Sequence, residues 1–458
     1  MPAGIAEGRR GVGLATPFAW RVAATGLLAG GVALGHVAAK TMGRRGAAAL
    51  IVAGVPALAL PITLGGRREA ALRPGGSRRP GGSRGPGGSR RPPATAARLP
   101  VVSVVVAARD EARALPGLID DLGGQDHRDQ AGGSCFEVIV IDDRSVDGTA
   151  DVAAREVRRA GLLSITRIVR RGAGADQSPG HDDLADGKGA ALAAVPAENL
   201  RGDIIVVLDA DARVAPGFLR SLARQMADGA VALSCPIALN GAPRNALARL
   251  QASEQRLDLA IQRGRFGLGG CSEFRGNGIV IRREALVAAG GWHDALTEDL
   301  DLSSRLAALG HRVGVARGVE IHAEPVRGLP ALWAQRTRWS EGALRRTFEH
   351  GPAVLRSRRL SVRARADFGL YAAQLALPGI LLGAMAGGVR WGRPSAALAI
   401  AVTWGCALAF LARDLGAAVL SAIWLPAVPA AALRIALRRG PVRYAKMSHV
   451  GSALQPEP

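Results

Sequence analysis

Three short runs of β-branched residues most constrain what this chain can fold into. Val101 to Val106 is nearly all valine, Phe136 to Ile141 reads Phe-Glu-Val-Ile-Val-Ile, and Asp203 to Leu208 reads Asp-Ile-Ile-Val-Val-Leu. A strand with one wet face alternates apolar and polar residues; a continuous apolar run of this length belongs to a strand covered on both faces, as in a parallel sheet. Helical stretches separate the runs from Pro100 to about Gly351, which predicts an α/β domain with a mostly parallel central sheet. Each run ends in a polar cluster: Arg109-Asp110-Glu111, Asp142-Asp143-Arg144-Ser145 and Asp209-Ala210-Asp211. Ligands of open α/β sheets bind beyond the carboxyl ends of the strands, so the three clusters predict one shared crevice.

Asp209 and Asp211 stand two residues apart directly after a strand, where both reach a hard cation, Mg2+ or Mn2+, bound to phosphate oxygens. Strand-end aspartates also form turns and helix caps, but this is the third acidic strand end in succession. Asp142 or Asp143 is placed to accept hydrogen bonds from a base or ribose, whereas Asp147-Gly148 reads as a turn before a helix. Basic residues are almost all arginine; Lys40, Lys188 and Lys446 are the lysines. Lys188 therefore stands as either a compact point charge near phosphate or a surface residue left by chance.

The net charge of +21 raises nucleic acid and anionic lipid as partners. Its location separates them. Arg67 to Arg98 carries nine arginines against Glu69 alone, while Arg356 to Arg365 and Arg434 to Lys446 carry five basic residues each and no acid. The rest of the chain is nearly neutral, which excludes an intrinsically basic nucleic-acid-binding domain. The basic segments flank apolar runs at Val22 to Ala39, Ala47 to Leu64, Phe368 to Val389, Ala396 to Ala412 and Leu415 to Leu433, the last weakened by Pro426 and Pro429. The expected organisation is two N-terminal membrane segments within 1–66, at about 22–39 and 47–64, a disordered basic linker over 67–98 with three near-copies of a six-residue unit, a cytoplasmic domain over 99–351, a basic interface with two or three membrane segments over 352–440, and a tail over 441–458. This makes a multi-pass cell-membrane protein with its central domain in the cytoplasm. Cys135, Cys235, Cys271 and Cys406 show no C-x-x-C pairing, so neither a zinc ribbon nor a disulfide scaffold is expected.

In order along the chain, VSVVVAARDEA, VIVIDDRSVDGT, GKGAAL, VVLDADA, GNGIVIRREALVAAGGW, TEDLDL and QRTRW resemble the motifs of family 2 glycosyltransferases with a GT-A fold. The last two resemble the membrane-integrated synthase branch that includes cellulose, hyaluronan and poly-N-acetylglucosamine synthases. The resemblance implies a nucleotide-sugar donor, with Glu111 and Asp142 or Asp143 contacting uridine diphosphate, Lys188 near the nucleotide, and Asp209 and Asp211 as the D-x-D pair, Asp211 the metal ligand. It implies that Asp299 in Thr297-Glu298-Asp299 is the general base on the acceptor hydroxyl, and that Gln335, Arg338 and Trp339 form Q-x-x-R-W, the arginine on the diphosphate and the tryptophan under the acceptor sugar. Asn277 would shape the acceptor side. A base opposite a leaving diphosphate inverts configuration at the anomeric carbon. The same residues have plainer readings, Thr297 to Asp299 as a helix N-terminus and Trp333 with its neighbours as an interfacial helix.

Two departures matter. The first strand ends in Ala107-Ala108-Arg109-Asp110-Glu111 where the family often has P-x-x-N-E, and Phe274-Arg275-Gly276-Asn277 stands where cellulose synthases have F-C-G-S, which weakens a cellulose assignment. The leading expectation is transfer to a membrane-associated polysaccharide. The alternatives are a single addition to a lipid and a silent nucleotide-sugar-binding subunit; nucleic acid is not expected as a partner, and the need for a partner subunit stays open.

Overall fold

The computed structural model describes residues 17–41, 99–129, 131–172, 187–240, 245–390, 415–421 and 423–437. The apolar runs at 47–64 and 396–412, the linker at 67–98 and the tail at 441–458 lie outside them.

The central unit is one seven-stranded sheet in the order β3-β2-β1-β4-β7-β5-β8. Its strands are β1 (Val102–Ala108), β2 (Phe136–Asp143), β3 (Thr166–Arg171), β4 (Ile204–Asp209), β5 (Ala232–Ser234), β7 (Ile279–Arg282) and β8 (Val313–Val315). The three apolar runs are β2, β1 and β4, adjacent and parallel. β7 runs antiparallel between β4 and β5. A parallel pair, β6 (Ile237–Leu239) and β9 (Ile321–Ala323), lies beside it.

Helix α1 (Pro17–Thr41) precedes the sheet. Among the described residues seven α-helices belong to the sheet domain: α2 (Leu115–Gly123), α3 (Thr149–Arg159), α4 (Lys188–Ala193), α5 (Phe218–Ala227), α6 (Ala246–Gly267), α7 (Arg283–Ala288) and α8 (Glu298–Ala308). After it come α9 (Leu329–Arg356), α10 (Val362–Ala373), α11 (Leu377–Arg390), α12 (Leu415–Ser421) and α13 (Trp424–Leu437).

The period of two along a strand explains why the apolar runs must be continuous. Val104 and Val106 of β1, Val138 and Val140 of β2 and Val206 and Leu208 of β4 face one core with α2, α3 and α5. Val105, Ile139, Ile141, Ile205 and Val207 face the other, with α4, α7 and α8. Helices therefore cover both faces, and the strand ends remain as the place where polar groups can gather.

The N- and C-terminal helices pack together on α9. Gly31 and Gly35 of α1 meet Gly379 and Gly383 of α11: a Cβ on Gly35 would lie 1.8 Å from the Ile380 carbonyl oxygen, and one on Gly383 would lie 1.9 Å from that of Val32. Both pairs are G-x-x-x-G, the spacing that lets two backbones touch over one helical face. Ala24 of α1, Leu344 of α9 and Val428, Ala431 and Ile435 of α13 form one buried cluster, and the Arg21 Nε donates to the Ala436 carbonyl at 2.9 Å.

Among the described residues one helical run, Val362–Ala384, is long and apolar enough to cross a membrane; Arg21–Val37 and Trp424–Leu437 are shorter apolar helices. The expected segments 22–39, 368–389 and 415–433 thus fall on α1, on α10 with α11, and on α12 with α13. Pro429 is accommodated inside α13.

Candidate functional site

The crevice is built where β1, β2 and β4 end. Between β1 and β2 the loops lock each other: the Asp110 amide donates to Ser145 Oγ at 2.8 Å, the Val146 amide to Asp110 Oδ1 at 2.8 Å and the Glu111 amide to Thr149 Oγ1 at 2.8 Å. Asp110 has φ of 51°, a conformation that aspartate tolerates better than most residues. The departure at Asp110 thus has a use within the chain, joining the two strand ends. Asp147 accepts from the Ala112 and Thr149 amides, which makes it the turn expected of it.

The structure separates the two aspartates that the sequence leaves equivalent. Asp143 is buried and committed, to Arg171 at 2.7 Å and to Arg144 at 3.0 Å. Asp142 is also buried, and its Oδ1 has no hydrogen-bond partner. A buried acceptor left unpaired is costly, so Asp142 is the one with capacity to spare for a ligand.

Lys188, at the start of α4, is not a surface residue. Its ammonium donates to Asp209 Oδ1 and, at 2.6 Å, to the Gly276 carbonyl, and it lies 3.5 Å from Glu298 Oε1. Burial depresses the ammonium's pKa, but the carboxylates of Asp209, Glu298 and Asp299 outweigh that and leave it raised. This close approach needs Gly189, where a Cβ would lie 2.3 Å from the His293 carbonyl oxygen. The G-K-G sequence is thereby explained: the second glycine lets α4 press against the loop before α8 so that the lysine can join two acidic motifs.

Thr297, Glu298 and Asp299 open α8. Thr297 occupies the cap position without making a side-chain cap bond, and its methyl and hydroxyl instead face Gly342 of α9, whose added Cβ would meet them at 2.3 Å. Gly342→Ala is therefore expected to push Thr297 and the first turn of α8 out of place and lower turnover by about 10²-fold, with nucleotide affinity much less affected. Single-turnover rates compared with nucleotide titration check this; unchanged turnover would show that α8 tolerates the shift.

Asp299 lies half-buried in the crevice. Burial, followed by the charge of Glu298, pushes its carboxyl up to about 7, against the pull of Arg275 and Lys188. Its Oδ2 is 3.8 Å from where a Cβ on Gly276 would be. The 273–277 loop is fixed from several sides: Glu273 pairs with Arg346 of α9 at 2.8 Å, the Phe274 amide donates to Ser303 Oγ of α8 at 2.9 Å, and Arg275 pairs with Asp258 of α6 at 2.7 Å. Asn277 Oδ1 accepts from the Asp209 amide at 3.1 Å, and its buried Nδ2 has no partner. A small open cleft lies beside this loop, lined by Cys235, Asp258, Leu259, Gln262 and Arg275 among others.

The residues expected from Q-x-x-R-W lie on α9 at its junction with α13. Gln335 accepts from Arg336, and Arg336 pairs with Glu254 of α6. Glu254 also accepts from Trp424 Nε1 at 2.8 Å. Trp339 stacks with Trp424, centroids 6.4 Å apart and planes 25° off parallel, and the Arg336 guanidinium lies 4.4 Å from its ring centroid. Gln335 and Trp339 are thus held within a structural knot. Arg338 is half-buried and has no hydrogen-bond or ion-pair partner among the described residues. Arg336, nearly fully buried, is the residue sequence reasoning passed over; its partner is 82 positions away, so no local signal marks it.

Among the described residues no three His, Cys, Asp or Glu side chains converge as a complete metal site. Asp209 and Asp211 form a partial set of hard oxygen donors, of the type that suits Mg2+ or Mn2+ completed by diphosphate oxygens.

Residues 204–413 match the model described as glycosyl transferase family group 2. The beta-monoglucosyldiacylglycerol synthase of Synechocystis sp. is 35% identical over 253 residues, 55% of this chain and 49% of its own length. That of Nostoc sp. is 34% identical over 264 residues, 57% of this chain and 52% of its own. The chain therefore spans about half the length of the curated relatives it matches, and these relatives are named for a lipid acceptor where the motifs resemble polysaccharide synthases. A solved structure, a mannosyltransferase from Pyrobaculum calidifontis in complex with GDP-Man and Mn2+, aligns with a TM-score of 0.56 at 21% identity, over 86% of this chain and 99% of that one. The sheet order and the strand-end crevice form a GT-A-like α/β fold, within which residues 204–413 match a family 2 glycosyltransferase domain.

Proposed function

We propose that the crevice moves a sugar, with inversion, from a nucleotide diphosphate, a UDP-sugar, to a hydroxyl of a membrane lipid of the diacylglycerol class. The observation that carries this reading is Asp299: a carboxylate held near neutrality, beside Lys188 and the strand-end aspartates, is poised to take a proton at physiological pH. Asp299 accepts the acceptor's hydroxyl proton as that oxygen bonds to the anomeric carbon; the bond to the diphosphate oxygen breaks on the opposite face. Glu298 stays paired to Lys188 and keeps the first turn of α8 against α4. Asp142 and Glu111 hold the nucleoside end, and Arg338 is free to turn toward the diphosphate. A divalent cation on Asp209 and Asp211 would offset the charge of the departing diphosphate.

Two features support a lipid acceptor over the polysaccharide that the T-E-D and Q-x-x-R-W motifs favour. The curated relatives are named for a glucosyl lipid, and Trp339, the expected sugar platform, is stacked on Trp424. The G-x-x-x-G crossing of α1 and α11, together with outward Val22, Leu34 and Leu382, supports a membrane location, and the basic segments of the sequence favour a transferase domain on the cytoplasmic side. Transfer from radiolabelled nucleotide sugars into membranes, with lipid and polymer separated, tests this. Label in one lipid-soluble product is expected, and label in a long polymer would overturn the lipid reading.

The base also sets a pH dependence. Only ionised Asp299 accepts a proton, so single-turnover rates are expected to fall about tenfold per unit as pH drops below about 7. A rate flat from pH 5 to 8 would remove Asp299 from the proton transfer.

A further inference from the structure

One cluster of exposed positive charge on the described surface lies outside the transferase motifs. It lies on the turn from α9 into α10, where Arg356, Arg358, Arg359 and Arg363 are all exposed. None of the four has an ion-pair or hydrogen-bond partner among the described residues. Apolar side chains stand exposed among them: Leu355 is 47% exposed, Val362 71% and Leu370 75%. Along α10, Arg363, Ala366, Leu370 and Ala373 are all exposed and recur at helical spacing, so one outward stripe begins with a guanidinium and continues apolar. This stripe is the opening of Val362–Ala384, the described run with the length and hydropathy to enter a bilayer.

We propose that this turn and the head of α10 form a docking surface for anionic phospholipid. A guanidinium can lie in the headgroup layer while its neighbouring apolar side chain reaches the acyl boundary, and each basic residue near an anionic surface contributes attraction that salt screens. A nucleic acid would use the same charge but would leave Leu355, Val362 and Leu370 in water, which is why lipid is the occupant that the pattern fits.

The inner side of the turn is anchored to the transferase domain. Leu360, Ala364 and Phe368 are buried with Val354, Cys271 and Ala307, the last belonging to α8. The Ser357 Oγ donates to the Ala308 carbonyl at 2.7 Å, and Asp367 is held by Arg265 of α6 at 3.0 Å and by the Cys271 amide at 2.9 Å. Since α8 begins with Thr297-Glu298-Asp299, the docked turn sets the height and tilt of the crevice over the bilayer.

Amide hydrogen exchange of the full chain, reconstituted in bilayers of phosphatidylcholine alone and of a roughly 2:1 mixture with phosphatidylglycerol, tests the docking. Exchange over residues 355–366 is expected to slow about tenfold in the anionic bilayer, to recover at high salt, and to be unaffected by DNA duplex added to neutral bilayers. A variant carrying Arg356→Gln, Arg358→Gln, Arg359→Gln and Arg363→Gln should lose the difference while keeping its melting temperature. Equal exchange in the two bilayers would overturn the proposal, as would protection by DNA in the neutral one. A second readout rests on the proposed function: transfer to bilayer-embedded diacylglycerol should fall in that variant while transfer in detergent is unchanged. Absence of any transfer would count against the catalytic reading alone, because the exchange measurement is independent of it.

Discussion

Asp299→Asn is expected to lower transfer by about 10²–10⁴-fold, the loss typical of removing a positioned base, while nucleotide affinity stays nearly unchanged. In the proposed reaction the carboxylate acts on the acceptor's proton, and the nucleotide contacts belong to the ends of β1, β2 and β4. A second consequence separates this role from a structural one. The folded-state carboxyl titrates near 7, above its ordinary value, so its ionisation opposes folding. Whatever stability the protonated form contributes is complete below the unfolded-state value and is lost as pH rises through about 7. The asparagine variant escapes that loss. It should melt higher than the parent at pH 8, with the gap closing toward acid pH. A variant that is inactive because it is misfolded would melt lower at every pH.

Glu254→Ala should give the largest loss of stability. Arg336 is 2% exposed and depends on the Glu254 carboxylate for its charge partner, and the same carboxylate satisfies the Trp424 indole. Removing one member of a buried pair leaves the other charge unpaired at a cost of about 3–5 kcal/mol, which for a domain of this size corresponds to a fall of about 10 °C in melting temperature. Thermal unfolding in detergent reads it directly. A shift of only a degree or two would show that water reaches Arg336 and that the α6–α9–α13 knot is held by packing alone.

The strands and their polar ends could be read from sequence because their cause is local. A run such as Val101 to Val106 has no other stable place than a strand covered on both sides, and the alternation of Val104 and Val105 between two cores follows from the pleat. The motif order likewise carried Asp209, Asp211, Lys188 and Asp299, and the structure joins Asp209, Lys188 and Glu298 directly.

What could not be read depends on partners distant in sequence. Nothing in Asp142-Asp143 says which aspartate Arg171 will take, because that depends on the register of β2 against β3. Gly342 looks like an ordinary helix glycine until Thr297 is found against it. The antiparallel β7 has the same apolar character as a parallel strand, and its direction is decided by the chain's path through α6. Gly31 and Gly35 gain meaning only from Gly379 and Gly383, close to 350 residues away. The Q-x-x-R-W motif pointed to Arg338 and Trp339, while the buried arginine between Gln335 and Trp339 is the one that binds three helices together.

The proposed reaction is a single inverting displacement onto a lipid hydroxyl, directed by Asp299. The most direct measurement is proton NMR of the glycolipid made from an α-linked nucleotide sugar and diacylglycerol, reading the coupling constant of the anomeric proton. A β-linked product carrying one sugar is expected, absent with Asp299→Asn. An α-linked product would rule out the inverting displacement, because retention requires a different arrangement of groups from one base facing a departing diphosphate.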